Sequence, residues 1–328
     1  MNDRLGVVLP TRYDEPLERY VELVERAESQ GFATAWFTEV AGADAIALAS
    51  AAALRTERIT LATGVVPITT RSAPLIAMGA ATLQDLSGGR ALLGIGTSTP
   101  TVIGRWHGLP FDAPATRLAE TIAAVRAVFA GQPAYAGARV RTTGFHLGLT
   151  APMMPPIHVA ALGPRTLRLA GRIADGALLT LASCDHLARM GAVLRESARA
   201  AGTRGRLVAY VRVAVTERPE AARAWMRDEL AWYASSAAYR AHFRRQGWFA
   251  EMEVAAYAWE HGDKAAAAAA MSPSMCAALI CAGSPATVRA DLSKLLDIGV
   301  DEVACYFVDV DGRGVDGLAE QLDRLAAG

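Results

Sequence analysis

Residues 59–95, which read ITLATGVVPITTRSAPLIAMGAATLQDLSGGRALLGI, decide the fold of this chain. Short apolar runs at 59–63 and 91–95 flank a helical pattern at 74–86, and a Gly-Gly turn separates that helix from the second run. Short runs rich in Val, Ile and Leu that alternate with helices are typical of β-α units around a parallel sheet. The stretch therefore predicts a strand, a helix and a second strand parallel to the first.

The same alternation extends over the rest of the chain. The predicted strands lie at residues 5–9, 33–38, 59–63, 91–95, 157–161, 177–181, 207–215 and 302–308. Eight strands with helices between them predict a (β/α)8 TIM barrel, whose functional residues lie at the carboxyl ends of the strands. A doubly wound parallel sheet with a helical domain is the alternative.

Two segments interrupt the alternation. Residues 134–156 combine scattered Gly and Pro with short alternating segments, which predicts a hairpin insertion. Residues 219–274 contain many aromatic residues and an alanine run at 265–270, which predicts a helical insertion near the barrel mouth. These helices either pack as a plain helix pair or form a substrate lid or partner surface. We expect residues 1–328 to form a single barrel domain that carries both insertions.

The charge balance of the chain argues against a polyanionic partner. Its 33 basic and 33 acidic side chains give a net charge of zero, whereas nucleic acids and anionic membranes attract clustered Lys and Arg. A hydrophobic fraction of 52% excludes intrinsic disorder. The sequence contains no apolar run of about 20 residues and no signal-peptide core. We therefore expect no nucleic-acid or membrane partner and a cytoplasmic location.

Cysteine and histidine spacings exclude several kinds of site. The four cysteines form no C-x-x-C pair, and we expect them to be reduced thiols. The six histidines form no H-E-x-x-H motif, and no G-x-S-x-G elbow occurs, so the sequence predicts neither a metal site nor a hydrolytic nucleophile. His158 is expected to lie inside the barrel as a hydrogen-bonded residue. His107, in the loop after the fourth strand, is a candidate proton donor.

Small and hydroxyl-bearing residues follow several predicted strands. Thr38 and Glu39 end the second strand, and glycines or threonines end the third, fourth and sixth. Such residues suit an aromatic ring that lies against backbone and a phosphate that is held by amides at a helix N-terminus. Glu39 would face the barrel mouth, where it either contacts a ligand or forms a structural hydrogen bond.

Read in order, these strand ends resemble the luciferase-like monooxygenase superfamily and, within it, the oxidoreductases that depend on the deazaflavin coenzyme F420. The segments that carry the resemblance are LATGVVP at 61–67, LSGGR at 86–90, LGIGT at 93–97 and PIHVAALGP at 156–164. The resemblance extends from residue 5 to about residue 327. It implies a single barrel with insertions.

The resemblance also implies a cofactor site. Its cofactor-binding positions fall on Thr38, Gly64, Val65, Gly96, Thr97, Ala161, Leu162, Gly163, Pro164 and Thr180. Gly64-Val65 matches a non-prolyl cis peptide bond in a bulge that supports the cofactor ring. Leu162, Gly163 and Thr180 match residues that hold the cofactor phosphate.

Two departures from the family pattern change the expected reaction. In the sugar-phosphate dehydrogenases of this family a His follows the acidic residue of strand two and a Glu lies after strand four, whereas this chain has Val40 and Thr99. The acid and base that alcohol oxidation needs are therefore missing. We expect a reductase that transfers hydride from reduced F420 to an activated C=C or C=N bond of a small molecule, with Glu39 and His107 as catalytic residues.

Two other functions remain open from the sequence. An FMN-dependent monooxygenase of the same fold would activate O₂ instead. A non-catalytic flavin-binding barrel is the third reading, because a fold that has lost its acid and base residues can keep its ligand site. A homodimer is the expected assembly.

Overall fold

The computed structural model describes residues 1–10, 15–149 and 153–327. Its main feature is a set of eight strands that pair in parallel, each with its neighbours in the chain. These strands, β1 to β8, are Leu5–Leu9, Thr34–Phe37, Thr60–Thr63, Ala91–Gly96, Ile157–Ala160, Gly176–Thr180, Arg206–Val215 and Glu302–Phe307. Pairing of β8 with β1 closes the sheet. The predicted (β/α)8 barrel is therefore confirmed. The doubly wound alternative is wrong, because a doubly wound sheet is open whereas this sheet is closed.

Helices cover the outside of the barrel. Their bounds, for α1 to α13, are Leu17–Ser29, Ala45–Ala53, Ala73–Leu86, Pro114–Phe129, Pro164–Ile173, Cys184–Ala201, Pro219–Ala234, Ala237–Arg244, Phe249–Glu260, Lys264–Ala269, Pro273–Ala278, Pro285–Asp297 and Gly314–Ala327. Thr101–Trp106 adds a short π-helix after β4, which the sequence did not predict. Polar side chains begin several helices: the Asp44 carboxylate accepts hydrogen bonds from the first turn of α2, and Ser72 caps α3.

Alternate strand residues face opposite sides of the barrel wall. One set, which includes Leu5, Leu61 and Val303, packs against the surrounding helices in the main apolar core. The other set fills the barrel interior and consists of Val8, Trp36, Ala62, Leu178, Val208 and Ala304, with Val65, Leu92, Tyr210 and Tyr306 packed on it. Side chains therefore fill the interior of the barrel. Its mouth, where functional sites form in this fold, lies at the carboxyl ends of the strands.

Polar side chains lie in the interior near the amino ends of the strands. The buried Glu302 carboxylate accepts hydrogen bonds from Trp36 Nε1 at 2.8 Å and from Thr34 Oγ1 at 3.2 Å. His158 is also buried, as predicted, and burial lowers its pKa to about 4. Its Nδ1 has no hydrogen-bond partner among the described residues, so the expectation of a hydrogen-bonded imidazole is wrong for that atom.

The segment from 219 to 278 contains helices α7 to α11. They enclose a second apolar cluster, centred on Met226, Leu230, Phe243, Met252 and Met275. The strand Ile280–Gly283 follows and pairs in parallel with residues 212–215 of β7. The sequence did not predict this strand, because four residues with two small side chains after an alanine-rich segment give little strand signal.

Strands Ala134–Ala136 and Arg141–Thr143 form an antiparallel hairpin within the predicted hairpin insertion. Residues 150–152 of that segment lie outside the described residues. No helix in the described ranges is long and apolar enough to cross a membrane. The four cysteines, all within those ranges, are free thiols.

Candidate active site

A bulge follows β3 at the carboxyl end of the barrel. Its Gly64-Val65 peptide bond is cis, which confirms the geometry that the family resemblance implied. Val66–Pro67 then pairs in parallel with the end of β4. The Thr63 hydroxyl donates to the carbonyl oxygen of Gly94 at 2.7 Å and accepts from its N–H at 2.9 Å. These contacts hold the bulge against β4.

Glycines of β4 let the bulge approach this closely. A side chain at Gly94 would overlap the carbonyl oxygen of Thr63, and a Cβ at Gly96 would lie 2.8 Å from Cγ2 of Val65. The packing of the bulge therefore requires glycine at both positions. Contact of a cofactor with Gly64, Val65 and Gly96 stays a prediction.

Tyr210 crosses the barrel from β7 to this bulge. Its hydroxyl occupies the place where a side chain at Gly64 would lie, and its ring packs edge-on against Trp36 with centroids 5.6 Å apart. The hydroxyl is buried and has no hydrogen-bond partner in the part of the chain that the structure describes. Burial raises the pKa of this phenol, so it stays a protonated donor. The sequence analysis missed Tyr210, although the alternation along β7 could have indicated an inward side chain.

Arg212 lies two residues further along β7 and faces the same interior. Its Nη2 donates to Glu229 Oε1 at 2.8 Å and to the Tyr233 hydroxyl at 3.2 Å, both on α7. Its Nη1 donates to Thr180 Oγ1 at 3.3 Å, and the guanidinium lies 4.4 Å from the ring centroid of Tyr306. The predicted phosphate-binding Thr180 is thus joined to an arginine that the sequence analysis did not single out.

The charge of Arg212 is almost completely buried. Only 4% of its side chain is exposed. Burial would lower the pKa of this guanidinium, but Tyr233 and Glu229 beside it raise the pKa above its usual value. The side chain therefore carries a positive charge. Its Nε has no hydrogen-bond partner among the described residues.

The loop after β5 meets an arginine from the 219–278 segment. Gly163 is the N-cap of α5, and Pro164 opens the helix, so the first backbone N–H groups of α5 lie beside this loop. Arg245 Nη2, just beyond α8, donates to the Leu162 carbonyl at 3.2 Å and would lie 3.2 Å from a Cβ at Gly163. Burial lowers the pKa of Arg245, and no ion pair to it occurs within the described ranges. A helix start beside an unpaired guanidinium fits a phosphate.

His242 on α8 joins the loops after β5 and β6. Its Nδ1 lies 2.9 Å from the Leu162 carbonyl oxygen. Its Nε2 lies 2.8 Å from the Leu181 carbonyl oxygen and 3.1 Å from that of Thr180. Gln246, one turn later, donates to the same Leu181 oxygen at 3.0 Å. One fully buried imidazole therefore connects the two loops that are predicted to hold a phosphate.

Glu39, predicted as catalytic, is held in a structural network. Arg71 donates to both of its carboxylate oxygens, at 3.2 and 3.0 Å, and the backbone N–H of Ala45 donates to it at 3.0 Å. The preceding Thr38 is buried and donates to the Leu9 carbonyl at 2.7 Å. These contacts favour the structural reading of Glu39, and its catalytic role stays a prediction.

The loop after β4 holds the remaining predicted residues. Thr97 is half-buried directly after β4, and His107 is exposed at the end of the π-helix. The Thr99 hydroxyl accepts a hydrogen bond from the N–H of Val102 at 3.3 Å, and Val40 is 40% exposed. Neither Thr99 nor Val40 can act as an acid or a base at neutral pH.

Comparison with known proteins identifies the family. The family model described as luciferase-like monooxygenase matches residues 4–302. The chain belongs to the luciferase-like monooxygenase family. This luciferase-like chain is 36% identical, over 187 residues, to a Mycobacterium tuberculosis protein provisionally named a coenzyme F420-dependent oxidoreductase; the match covers 53% of this chain and 54% of that protein. It is 28% identical over 298 residues to a 5,10-methylenetetrahydromethanopterin reductase of Methanolobus tindarius. That match covers 88% of this chain and 90% of the reductase.

Solved structures share the fold of this luciferase-like chain. The structure of coenzyme F420-dependent tetrahydromethanopterin reductase from Methanopyrus kandleri superposes with a TM-score of 0.82 over 99% of this chain and 98% of that one, at 24% identity. At this identity the similarity concerns the fold alone.

Proposed function

We propose that this luciferase-like protein is a reductase that uses reduced coenzyme F420 to transfer hydride to an activated C=C or C=N bond of a small molecule. The observation that carries the proposal is the cationic site at the start of α5, where the Arg245 guanidinium adjoins Gly163 and has no carboxylate partner among the described residues. The choice of F420 is supported by the name of the mycobacterial relative. The bulge at Gly64-Val65 lies at the same mouth, where the family resemblance places the cofactor ring.

The residues of the chain divide the work of binding and orientation. Leu162, Gly163 and Thr180 would hold the cofactor phosphate with Arg245, because backbone N–H groups and a guanidinium both donate to phosphate oxygens. The bulge would support the ring. When it is bound, reduced F420 supplies the hydride.

Reduction fits the residues at the mouth better than alcohol oxidation. Oxidation of an alcohol needs a base for the hydroxyl proton, and the positions where related dehydrogenases carry acid and base groups hold Val40 and Thr99. Reduction of a polarised double bond needs only a proton donor for the atom that does not receive hydride. Solvent, or the exposed His107, would supply that proton.

The test is a titration of the purified protein with F420 and, separately, with FMN, in which cofactor fluorescence reports binding. We expect saturable binding of F420 and much weaker binding of FMN. Tight FMN binding without F420 binding would instead support an FMN-dependent monooxygenase and overturn the proposal. Turnover of reduced F420 with a panel of enones and imines then separates a reductase from a barrel that only binds its cofactor.

A further inference from the structure

We propose that Arg212 anchors the substrate by binding a negatively polarised oxygen, either a carboxylate or a carbonyl conjugated with the bond that is reduced. This inference rests on the proposed function for the identity of the reaction. Its binding component is independent of any cofactor. Binding of such an oxygen to the cofactor-free protein can therefore be measured separately.

Arg212 lies in the barrel interior, towards the carboxyl end of β7. Its neighbours on the same strand face are Val208 and Tyr210, which pack inside the barrel. Tyr306 faces it from β8, where Arg212 and Tyr306 are paired in register. The guanidinium stacks on that ring, and stacking leaves the N–H groups free to point sideways within the guanidinium plane.

The donors of Arg212 are only partly used. One contact reaches a single oxygen of Glu229, one reaches Tyr233, and one long contact of 3.3 Å reaches Thr180. Nε has no acceptor among the described residues. Glu229 is itself 22% exposed, against 4% for Arg212, so the counter-charge lies nearer to solvent than the cation does.

A second unpaired donor lies next to Arg212. The buried Tyr210 hydroxyl also lacks a hydrogen-bond partner among the described residues, and it lies on the same strand face. A buried donor without an acceptor costs about 1–3 kcal/mol, and such groups are rare in folded proteins. Two of them, on residues two apart on one face of β7 near the carboxyl end of the barrel, indicate a site that an oxygen acceptor completes.

The chemistry of the proposed reaction explains why that acceptor would belong to the substrate. When hydride adds to the β-carbon of an enone, the electron pair of the C=C bond shifts and negative charge develops on the carbonyl oxygen. A proton from solvent then completes the α-carbon. A permanently charged guanidinium beside the oxygen both binds the ground state and stabilises the developing charge.

The experiment measures binding of two matched probes to the cofactor-free protein by calorimetry. Cinnamate carries a conjugated carboxylate, and cinnamyl alcohol has the same skeleton without the charge. Replacing Arg212 alone would leave Glu229 without its partner, so the deletion variant is the double substitution Arg212→Met with Glu229→Gln, which removes both charges. Glu229→Gln alone keeps the guanidinium and removes the group that competes for it.

We expect wild-type protein to bind cinnamate more tightly than cinnamyl alcohol. Glu229→Gln should tighten cinnamate binding, and the double variant should weaken it by about tenfold to hundredfold while cinnamyl alcohol binding is unchanged. A guanidinium that only neutralises Glu229 would give no gain in Glu229→Gln. The proposal would be overturned by the absence of a gain in Glu229→Gln. It would also be overturned by equal binding of cinnamate and cinnamyl alcohol to the wild type, or by the absence of saturable cinnamate binding.

Two further arms identify the source of the oxygen and separate this inference from the proposed function. Inorganic phosphate should not displace cinnamate; competition that depends on Arg212 would assign the site to a cofactor phosphate and overturn the substrate role. In F420 titrations, Arg245→Met should lose affinity, whereas the Arg212 double variant should keep it. Failure of wild-type F420 binding alone would refute the proposed cofactor and leave the cinnamate result interpretable.

Discussion

The two sides of the barrel mouth are built in different ways. On the side of β3 and β4, backbone packs on backbone: the bulge lies on glycines, and Thr63 bonds Gly94, 31 residues away. On the side of β5 to β7, side chains from the 219–278 segment complete the site: His242 reaches Thr180 across 62 residues, and Arg245 reaches Leu162 across 83. The first side is built by strands alone, with Tyr210 of β7 packed on its bulge, whereas the second needs the helical segment.

This difference predicts how each side responds to substitution. The glycine-lined side has no room for an added atom, so changes there should act on folding. The polar side contains charged and hydrogen-bonding groups that still have unused capacity, so changes there should act on ligand binding first. Three predictions test that division, from the largest expected effect to the smallest, and a fourth concerns the buried histidines outside it.

Gly94→Ala should lower the free energy of unfolding by about 3 kcal/mol, because the new methyl group would overlap the backbone carbonyl of Thr63, which cannot rotate away. Denaturant titration measures the loss. Gly148→Ala is the matched control, since nothing lies within 4 Å of a Cβ at that glycine and its stability should be unchanged. Equal stabilities of the two variants would show that the bulge is not packed on β4 as described.

Gly163→Asp should weaken F420 binding by about hundredfold, because a carboxylate there would pair with Arg245 and repel a phosphate. Unfolding midpoints should stay close to that of the wild type. Gly163→Ala is the control: its methyl group meets only the flexible end of Arg245, so binding should change little. If the Asp variant binds F420 normally, the phosphate site lies elsewhere.

The neighbouring imidazoles of His242 and His186, with ring centroids 5.2 Å apart, give an internal comparison. His242→Leu should lower stability by about 1–3 kcal/mol and weaken F420 binding, since it removes the buried ring N–H that donates between the carbonyl oxygens of the two loops. His186→Leu should be neutral or stabilising, because neither of its ring nitrogens has a partner among the described residues. Paired unfolding and binding curves decide this, and similar losses in both variants would contradict it.

Stability should fall as the pH drops from about 6.5 towards 4. Burial lowers the pKa of His158 and of His186 to about 4, whereas unfolded histidines titrate near 6.5. Between these values the unfolded chain binds protons that the folded chain does not, so protonation favours unfolding. Denaturation at several pH values measures the slope, which His186→Leu should reduce. An unchanged slope in that variant would contradict the assigned burial effect.

The sequence predicted the parts of this protein that depend on local pattern. All eight barrel strands follow from apolar runs and helix periods, and the cis Gly64-Val65 bond follows from a recognisable motif. The strand Ile280–Gly283 was missed because its β character comes from pairing with β7. Local sequence carries little of that tertiary effect.

The candidate site was predicted less completely for a related reason. Its loop positions lie beside strand ends and can be read from motifs. The roles of Arg212, Arg245 and His242 depend on which atoms they meet after α7 and α8 pack against the barrel, and no spacing along the chain encodes that. Glu39 shows the opposite error: its place at a strand end suggests chemistry, but Arg71 already occupies its oxygens.

The strand Ile280–Gly283 has a consequence for how this fold can diversify. The chain leaves the barrel after Val215 and returns at Ile280, the first residue of a strand that runs parallel to residues 212–215. The residues at the two ends of the helical segment thus belong to a pair of strands that backbone hydrogen bonds join. The entropic cost of bringing the ends of a segment together grows only slowly with its length. This segment can therefore be replaced by one of a different length. Inserting a segment of another length between residues 215 and 280 should leave the barrel intact while replacing Glu229, His242 and Arg245 together.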